Sequence, residues 1–289
     1  MKDSIIIQRK GFYTTIQDKG RFGYASIGVP ESGAMDRKAM LLANTLVNNA
    51  ENEAVLEYTL LGPTIQFQCD RHFVITGGTT VATLDKKTIR NNTVYLARKG
   101  QVLKLIKITE GCRGYFAIAG GIQSSVVLGS KSLYAPITKM GYIHEPREIP
   151  IGISLYGTAK GARIKIREKT GVTSYVNKDS IHVYKGPEYD LLPPDIHKYM
   201  VERSFLISKL WNRMAIHLEE TIIHNIPTIV TGPVIPGTIQ LTPLGHMMIL
   251  MKDCQTTGGY PRILQLSEDA MHILAQKKQG DTFSFLLTD

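Results

Sequence analysis

Short apolar runs alternate along the chain with polar and glycine-containing turns. Most of these runs are too short for helices, and Val102–Ile108 partly alternates between apolar and polar residues, as a half-buried strand does. The pattern predicts strands at Ile5–Gln8, Ile65–Gln68, Phe73–Thr76, Val102–Ile108, Tyr115–Ile118, Ile164–Arg167, Ile181–Tyr184, Ile239–Leu241, Met247–Met251 and Phe283–Leu287.

Three segments have helical features instead. Met35–Val47 places its apolar residues on one face, and Asp195–Leu206 follows two prolines. A third helix is predicted to begin after Ser267, an N-cap residue type, with acidic residues in its first turn, and to end before Gly280. Many strands with few helices favour barrels or sandwiches over a doubly wound parallel sheet, so we expect a mainly β fold.

Composition favours a cytoplasmic protein of more than one domain. The chain has 289 residues, of which 43% are hydrophobic and 20% charged, enough to bury a substantial core. We expect no membrane association, because no segment approaches the roughly 20 apolar residues of a membrane span. The first strand is also too short for a signal-peptide core. Cys69, Cys112 and Cys254 lack metal-type spacing and are odd in number, which argues against a zinc site and against a disulfide framework.

Basic residues outnumber acidic ones, 34 to 25, which gives a formal net charge of +9. They are dispersed, with no dense run and no nucleic-acid motif, so we expect no nucleic-acid partner. A basic surface that faces an acidic partner or an anionic substrate is the better interpretation.

The segment Asp253–Arg262, with sequence DCQTTGGYPR, directly follows the apolar run Met247–Met251. Gly258 and Gly259 would let the backbone turn and present N–H groups to an oxyanion, a carboxylate or a phosphate. The alternative is a tight turn in which the glycines only satisfy backbone geometry.

A second candidate loop extends from Gly11 to Asp36 and is rich in glycine and polar residues. An ordered loop must satisfy its own backbone polar groups. Gln17, Asp18 and Arg21 could therefore form an internal hydrogen-bond frame or a functional site, and the sequence leaves both interpretations open.

Ordered matches along essentially the whole chain carry a family resemblance. They are Thr15–Gly23, Gly28–Asp36, Ala43-Asn44, Asn48-Asn49, Leu56-Glu57, Gly62-Pro63, Gly120-Gly121, Gly186–Glu188, Gly237–Gln240 and Gln255–Arg262. In these stretches the chain resembles the family of the C subunits of bacterial 5-oxoprolinase. This family is also described as allophanate hydrolase subunit 2, biotin-dependent carboxyltransferase-like, or the antagonist of a sporulation-kinase inhibitor.

The resemblance implies two cyclophilin-like β-barrel domains. The polar stretch Glu168–Ser180 is the expected boundary, with domains at 1–170 and 180–289. The implied activity is the ATP-dependent opening of 5-oxoproline, a lactam, to glutamate. The implied partners are the A and B subunits of 5-oxoprolinase.

The candidate chemistry is activation or transfer of a carbonyl group. We expect Arg21 and Arg213, with the Gly258 and Gly259 amides, to stabilise negative charge, and Asp18 and Asp36 to orient or deprotonate the attacking group. Gln240 and Gln255 would read an amide or ureido group. The further expected substrate-binding residues are Gln17, Ser32, Gly33, Thr256, Thr257 and Tyr260. Cys254, beside the glycines, is interpreted as a small buried residue.

The sequence contains no phosphate-binding loop, so we expect ATP to be used by the complex rather than bound through a motif of this chain. Two alternatives stay open. One is carboxyl transfer from carboxybiotin to a urea-type or amide acceptor, for which the biotin carrier would be another protein. The other is a non-catalytic regulator that binds a kinase inhibitor.

Two departures from the family pattern bear on these alternatives. The family often has Asp-Arg-Met-Gly where this chain has Asn212–Ala215, and a Ser-Glu-Gly-Val-like segment where it has Thr231–Val234. The loss of two carboxylates near candidate site residues is compatible with a changed substrate and equally with surface drift.

Overall fold

The computed structural model describes residues 3–154 and 175–288, and in these residues the fold is mainly β, with three α-helices. The predicted strand at Ile164–Arg167 lies outside the described residues. The strands are β1 (Ser4–Arg9), β2 (Tyr13–Gln17), β3 (Val55–Thr59), β4 (Thr64–Phe67), β5 (Arg71–Leu84), β6 (Lys87–Ile89), β7 (Tyr95–Ala97), β8 (Val102–Ile118), β9 (Arg147–Pro150), β10 (Ser180–Lys185), β11 (Ser204–Trp211), β12 (Ala215–Thr221), β13 (Gly232–Pro233), β14 (Thr238–Leu241), β15 (His246–Leu250), β16 (Thr257–Gly258), β17 (Arg262–Leu266) and β18 (Thr282–Leu287). The helices are α1 (Arg37–Leu46), α2 (Pro194–Glu202) and α3 (Glu268–Ala275).

The chain forms two compact units. Unit 1 comprises Met1–Arg21 and Ser32–Val176, and unit 2 comprises Phe22–Glu31 and Asn177–Asp289. The middle of the glycine-rich N-terminal loop therefore belongs to unit 2. The domain limits 1–170 and 180–289 stay a prediction, since much of the expected boundary lies outside the described residues.

Unit 1 contains a curled nine-stranded sheet in the order β2-β3-β8-β4-β1-β9, with β5 paired to β6, β7 and β8. Val102–Ile108 and Tyr115–Ile118, predicted as separate strands, are parts of the single strand β8. The intervening residues remain paired with β5 through register shifts near Gly77 and Thr79. Exposed polar side chains interrupt the apolar pattern there without ending the backbone pairing. The core beneath this sheet includes Phe67, Phe73 and Phe116.

Unit 2 contains a closed barrel in the order β10-β17-β14-β15-β12-β11-β18. The barrel closes through the parallel pairing of β10 with β18, whereas its other pairings are antiparallel. Outside the barrel, β13 and β16 form a two-stranded sheet that includes the first glycine of the Gly258-Gly259 pair.

Side-chain caps define the first turns of α1 and α3, and the sequence predicted the cap at Ser267. The Asp36 carboxylate accepts a hydrogen bond from Ala39 N at 3.0 Å, and Ser267 Oγ accepts one from Ala270 N at 3.2 Å. These bonds satisfy backbone donors that have no partner within the helix.

Helix α2 ends at Glu202, so the predicted extension of this helix to Leu206 is wrong. Ser204–Leu206 instead pair with β18 as the start of β11, and Phe205 is fully buried. Burial of Phe205 and strand pairing therefore outweigh a helical pattern of modest strength. Among the described residues, no helix is long and apolar enough to cross a membrane.

Candidate functional site

The end of β2 and the residues after it form a buried polar frame in unit 1. Asp18 is 2% exposed, and its carboxylate accepts hydrogen bonds from Gly20 N at 2.8 Å and from Ser130 Oγ, Lys131 N and Ser132 Oγ, each at 2.6 Å. Because donors surround both oxygens, this carboxylate holds the loop against the segment 130–132. The geometry matches the internal hydrogen-bond frame, which was one of the two interpretations of this loop.

Arg21 and Gln17 extend the same frame. The Arg21 guanidinium is buried and donates to Ser132 O at 2.5 Å and to Val127 O at 3.5 Å. Gln17 is fully buried and donates through Nε2 to Thr15 Oγ1 and to Leu133 O. The structure thus brings Gln17, Asp18 and Arg21 together, with hydrogen bonds that fix the loop conformation.

Ser32 and Gly33 form the return of this loop into unit 1, and both have left-handed backbone conformations, with φ of 54° and 81°. A Cβ at Gly33 would lie 2.8 Å from Gly20 N, so only glycine fits this approach of two backbone segments. The Ser32 side chain is buried, with 1% exposure.

Asp36 lies in a buried network at the start of α1. Its Oδ1 caps the helix, and its Oδ2 accepts from Tyr175 OH at 2.6 Å. Tyr115 OH accepts from Asp36 N at 2.7 Å and donates to Glu57 at 2.8 Å. Burial, followed by the neighbouring carboxylates, raises the pKa of both tyrosines, so each hydroxyl keeps its proton and serves as a donor. Glu57 is a member of this network that the sequence did not single out.

In unit 2, Arg213 forms a two-bond ion pair with Asp253, at 2.8 Å from Nε to Oδ2 and 3.1 Å from Nη2 to Oδ1. The side chains are only 7% and 12% exposed. Asp253 therefore supplies a carboxylate to Arg213. Asn212, which replaces an aspartate of the family pattern, accepts from Met214 N and Ala215 N and so keeps the role of a turn acceptor.

Gly258 and Gly259 do not form a tight turn, so that interpretation of the glycine pair is wrong. Gly258 pairs with Gly232 in the two-stranded sheet, and Gly259 O accepts from Ile229 N at 3.0 Å. Neither glycine has a left-handed φ. An alanine at position 258 would force the Gln240 side chain to move, because a Cβ there would lie 2.5 Å from its nitrogen. The adjacent Thr256 O accepts from Val234 N, and Thr257 is exposed.

Two glutamine side chains meet beside Gly258. Gln240 is fully buried and donates through Nε2 to Tyr260 O at 3.3 Å. Gln255, which is partly exposed, donates through Nε2 to Gln240 Oε1 at 3.3 Å. Tyr260 itself is 37% exposed at the edge of this cluster. We refer to Gln240, Gln255, Gly258 and Tyr260 as the amide cluster.

A second ion pair, which the sequence did not predict, borders this region. Arg262 donates to Glu188 at 2.7 Å and 3.0 Å through its guanidinium and at 2.8 Å through its backbone N–H. The hydrogen bond from Arg262 is the main cause that lowers the pKa of Glu188, and the same bond raises the pKa of Arg262. Arg262 also donates to Pro233 O, which links β17 to β13. The only sequence signal was the inclusion of both residues in stretches that matched the family.

The Phe22–Glu31 segment reaches the same unit. Glu31 forms an ion pair with Lys252 at 3.3 Å, next to the turn that precedes Cys254. Burial, with smaller effects from Glu31 and Asp253, raises the pKa of the Cys254 thiol to about 12. This agrees with the interpretation of Cys254 as a small buried residue rather than a nucleophile.

The basic side chains described above in unit 2 each form an ion pair. Arg213 pairs with Asp253, Arg262 with Glu188, and Lys252 with Glu31. Within residues 3–154 and 175–288, no group of three or more His, Cys, Asp or Glu side chains is arranged to hold a metal ion.

The predicted site residues thus lie in two groups. The first group, in unit 1, consists of Gln17, Asp18, Arg21, Ser32, Gly33 and Asp36. The second group, in unit 2, consists of Arg213, Gln240, Gln255, Thr256, Thr257, Gly258, Gly259 and Tyr260. A single site that combines the two groups stays a prediction.

Sequence comparisons identify relatives along nearly the whole chain. The family model described as carboxyltransferase domain, subdomain A and B, matches residues 27–287. The chain is 33% identical over 286 residues to the C subunit of 5-oxoprolinase from Escherichia coli, covering 97% of this chain and 90% of that protein. It is also 33% identical over 273 residues to the Haemophilus influenzae protein of the same name, covering 94% and 87%.

Solved structures show the same fold within much longer chains. The structure of the Kluyveromyces lactis urea amidolyase superposes on 100% of this chain with a TM-score of 0.88 and 25% identity, but this match spans only 19% of that protein. The urea carboxylase structure from K. lactis gives a TM-score of 0.85 at 24% identity, again over all of this chain and 28% of that one. With its matched residues, its full-length relatives and its mainly β fold, the chain belongs to the carboxyltransferase domain, subdomain A and B, family.

Proposed function

We propose that this protein is the C subunit of an ATP-dependent 5-oxoprolinase, which opens 5-oxoproline to glutamate together with the A and B subunits. One observation carries the proposal: the 33% identity to the C subunit of the E. coli 5-oxoprolinase extends over 97% of this chain and 90% of that protein. Similarity over nearly the whole of both chains favours a shared role more strongly than a shared domain within a larger enzyme does.

The amide cluster supports a lactam substrate. Its contacts are made by carboxamide groups and a backbone carbonyl, which recognise neutral N–H and C=O groups. Arg262, the strand partner of Gln240, is paired with Glu188. In this proposal the chain binds and orients the lactam.

Ring opening adds one water across the C–N bond of 5-oxoproline, and the amide resonance of the lactam opposes this step. ATP hydrolysis supplies the driving force in the proposed complex. Because the sequence contains no phosphate-binding loop, the proposal assigns ATP binding to the A or B partner of this chain.

Carboxyl transfer from carboxybiotin to a urea-type or amide acceptor is the second candidate function. It is favoured by the carboxyltransferase-domain model over residues 27–287 and by the TM-score of 0.88 to the K. lactis urea amidolyase. The same carboxamide groups could bind urea, and a separate protein would carry the biotin.

The test measures glutamate release from 5-oxoproline and ATP by the A and B subunits, with and without this chain. We expect turnover only when all three proteins are present. Addition of carboxybiotin carrier and urea in place of 5-oxoproline tests the second candidate in parallel. A stable three-protein complex that releases no glutamate would overturn the proposed function and favour carboxyl transfer or a regulatory role.

A further inference from the structure

The hydrogen bonds of the amide cluster have a defined polarity. Tyr260 contributes a backbone carbonyl, which can only accept a hydrogen bond. Gln240 must therefore direct its NH₂ group towards Tyr260, which places its own carbonyl oxygen towards Gln255. Gln255 must then direct its NH₂ group towards Gln240. One acceptor-only carbonyl thus sets the orientation of both carboxamides.

This polarity leaves a specific edge of Gln255 for a ligand. One N–H of its amide is used by Gln240, which leaves the carbonyl oxygen and a second N–H. Within the described residues, the bond to Gln240 is the only hydrogen bond of the Gln255 side chain. Gln255 is partly exposed, and Tyr260 beside it is 37% exposed, so the amide cluster borders solvent.

We propose that Gln255 binds the cis-amide edge of the substrate through a pair of hydrogen bonds, with Gln240 as the residue that positions it. In such a pair the ligand N–H donates to Gln255 Oε1, and the ligand C=O accepts from the Gln255 N–H that lies cis to Oε1. The proposal therefore assigns the bond with Gln240 to the other N–H of Gln255. Lactams hold their N–H and C=O on one side of the C–N bond because the ring forces this geometry, and urea presents the same arrangement.

The same geometry excludes secondary amides in the trans form. A peptide bond is almost always trans, so its N–H and C=O point in opposite directions and cannot both reach one carboxamide. Ester and N-methyl analogues lack the N–H and would leave Gln255 Oε1 without a donor. Loss of one hydrogen bond with an unsatisfied partner corresponds to about tenfold to a hundredfold weaker binding at a partly exposed site.

Gly258 also helps to position the Gln240 carboxamide. Its missing side chain leaves room for Gln240 Nε2, which a Cβ would approach to 2.5 Å. The carboxamide of Gln240 is thereby held between Gly258, Tyr260 and Gln255. The inference rests on the proposed function for its choice of lactam, but the recognition of a cis-amide edge applies equally to urea.

The experiment measures ligand binding to the full chain by ligand-observed NMR. The probes are 2-pyrrolidinone and urea, which present the edge, and N-methyl-2-pyrrolidinone and γ-butyrolactone, which lack the N–H. We expect 2-pyrrolidinone to bind at least about tenfold more tightly than its N-methyl analogue. Equal binding of the two, or binding of neither 2-pyrrolidinone nor urea, would overturn the inference.

Variants then assign the preference to residues. Gln255→Met should abolish the preference for the N–H ligand, whereas Gln66→Met should retain it. Gln66 is a matched control, because it accepts a hydrogen bond from Gln8 in a glutamine pair of unit 1. Gln240→Met should lower the ratio of the two affinities, and a merely structural role would weaken both ligands alike. Retention of the full preference in Gln255→Met would refute the assignment.

Turnover separates this inference from the proposed function. If the complex opens 5-oxoproline with an unchanged KM when it carries Gln255→Met, the proposed function stands and the inference fails. If the chain prefers N–H ligands through Gln255 but the complex releases no glutamate, the inference stands and the proposed function fails.

Discussion

Replacement of Gly258 by alanine is the sharpest test of the amide cluster. The new Cβ would lie 2.5 Å from Gln240 Nε2, where ordinary contacts begin at 3.4 Å, so the amide must move by about 1 Å. Gln240 is fully buried but flexible, so its side chain can rotate away without displacing the backbone. The cost is therefore the hydrogen bonds to Tyr260 and Gln255 rather than a backbone clash.

Each of these neutral hydrogen bonds contributes about 0.5–1.5 kcal/mol, so their joint loss lowers the free energy of unfolding by about 1–3 kcal/mol. Alanine also restricts the unfolded chain, which contributes about 0.4–1 kcal/mol in the opposite direction. Gly232→Ala is the matched control for this second effect. Gly232 is the strand partner of Gly258, and a Cβ there would have its nearest contact at 3.6 Å.

Urea denaturation of the two variants measures the difference. With an m value of about 2 kcal/mol per molar, Gly258→Ala should unfold at a urea concentration about 0.5–1.5 M below that of Gly232→Ala. Gly232→Ala should match the wild type or exceed it slightly. Coincident midpoints for the two variants would refute the reasoning, because they would show that the position of Gln240 does not depend on the absent side chain.

Three further predictions concern the remaining groups of unit 2. Arg213→Met should lower the free energy of unfolding by about 3–5 kcal/mol, because it leaves the nearly buried Asp253 carboxylate without its main partner. The double variant Arg213→Met, Asp253→Leu should lose less stability than Arg213→Met alone. A double-mutant cycle in urea checks this, and additive losses would contradict it. The pKa of Glu188 is lowered from its ordinary value of 4.5, so its contribution to stability is complete above pH 4.5 and is lost as the pH falls through the lower pKa of the folded state. Glu188→Gln should therefore reduce the dependence of the free energy of unfolding on pH in the acid range. An unaltered pH dependence would refute the role of Arg262. The pKa of Cys254 is raised to about 12 from an ordinary value of 9.0, which predicts a thiolate population at pH 8 about a thousandfold below that of an unperturbed thiol. Iodoacetamide labelling followed by mass spectrometry should therefore be slow until the protein is unfolded. Rapid labelling of the folded protein would contradict the burial of this thiol.

Local sequence signals located much of the fold because local physics decides those features. Apolar runs identified β14, β15 and β18 within one or two residues of their ends. Ser267 is recognisable as a helix cap from its residue type alone, because the bond that it accepts comes from Ala270, only three positions away.

Other elements escaped the sequence pattern because distant partners stabilise them. Strand β2 contains Thr14, Thr15 and Gln17, polar residues that are fully buried in the fold, and so it lacks an apolar run. Burial of Gln17 costs desolvation, which the bonds from its Nε2 to Thr15 and Leu133 offset only for the nitrogen, since its Oε1 is buried without a hydrogen-bond partner. No local pattern reports a partner more than a hundred residues away.

The candidate site also combines features that the sequence reveals with features that only the fold reveals. The sequence identified Gln240 and Gln255 as amide readers from residue type, since carboxamides both donate and accept hydrogen bonds. Only the fold shows that they bond to each other beside Gly258. It also shows that Asp18 is enclosed by donors from 130–132.

The sequence by itself determined the mainly β class, the Ser267 cap of α3 and the family, since apolar spacing, capping residues and ordered motifs are local properties. The tertiary structure alone decided the partners of the charged and amide groups. Asp253 meets Arg213, and Glu188 meets Arg262, only after the barrel strands have paired. The energies of such contacts depend on burial and geometry, which a linear sequence does not contain.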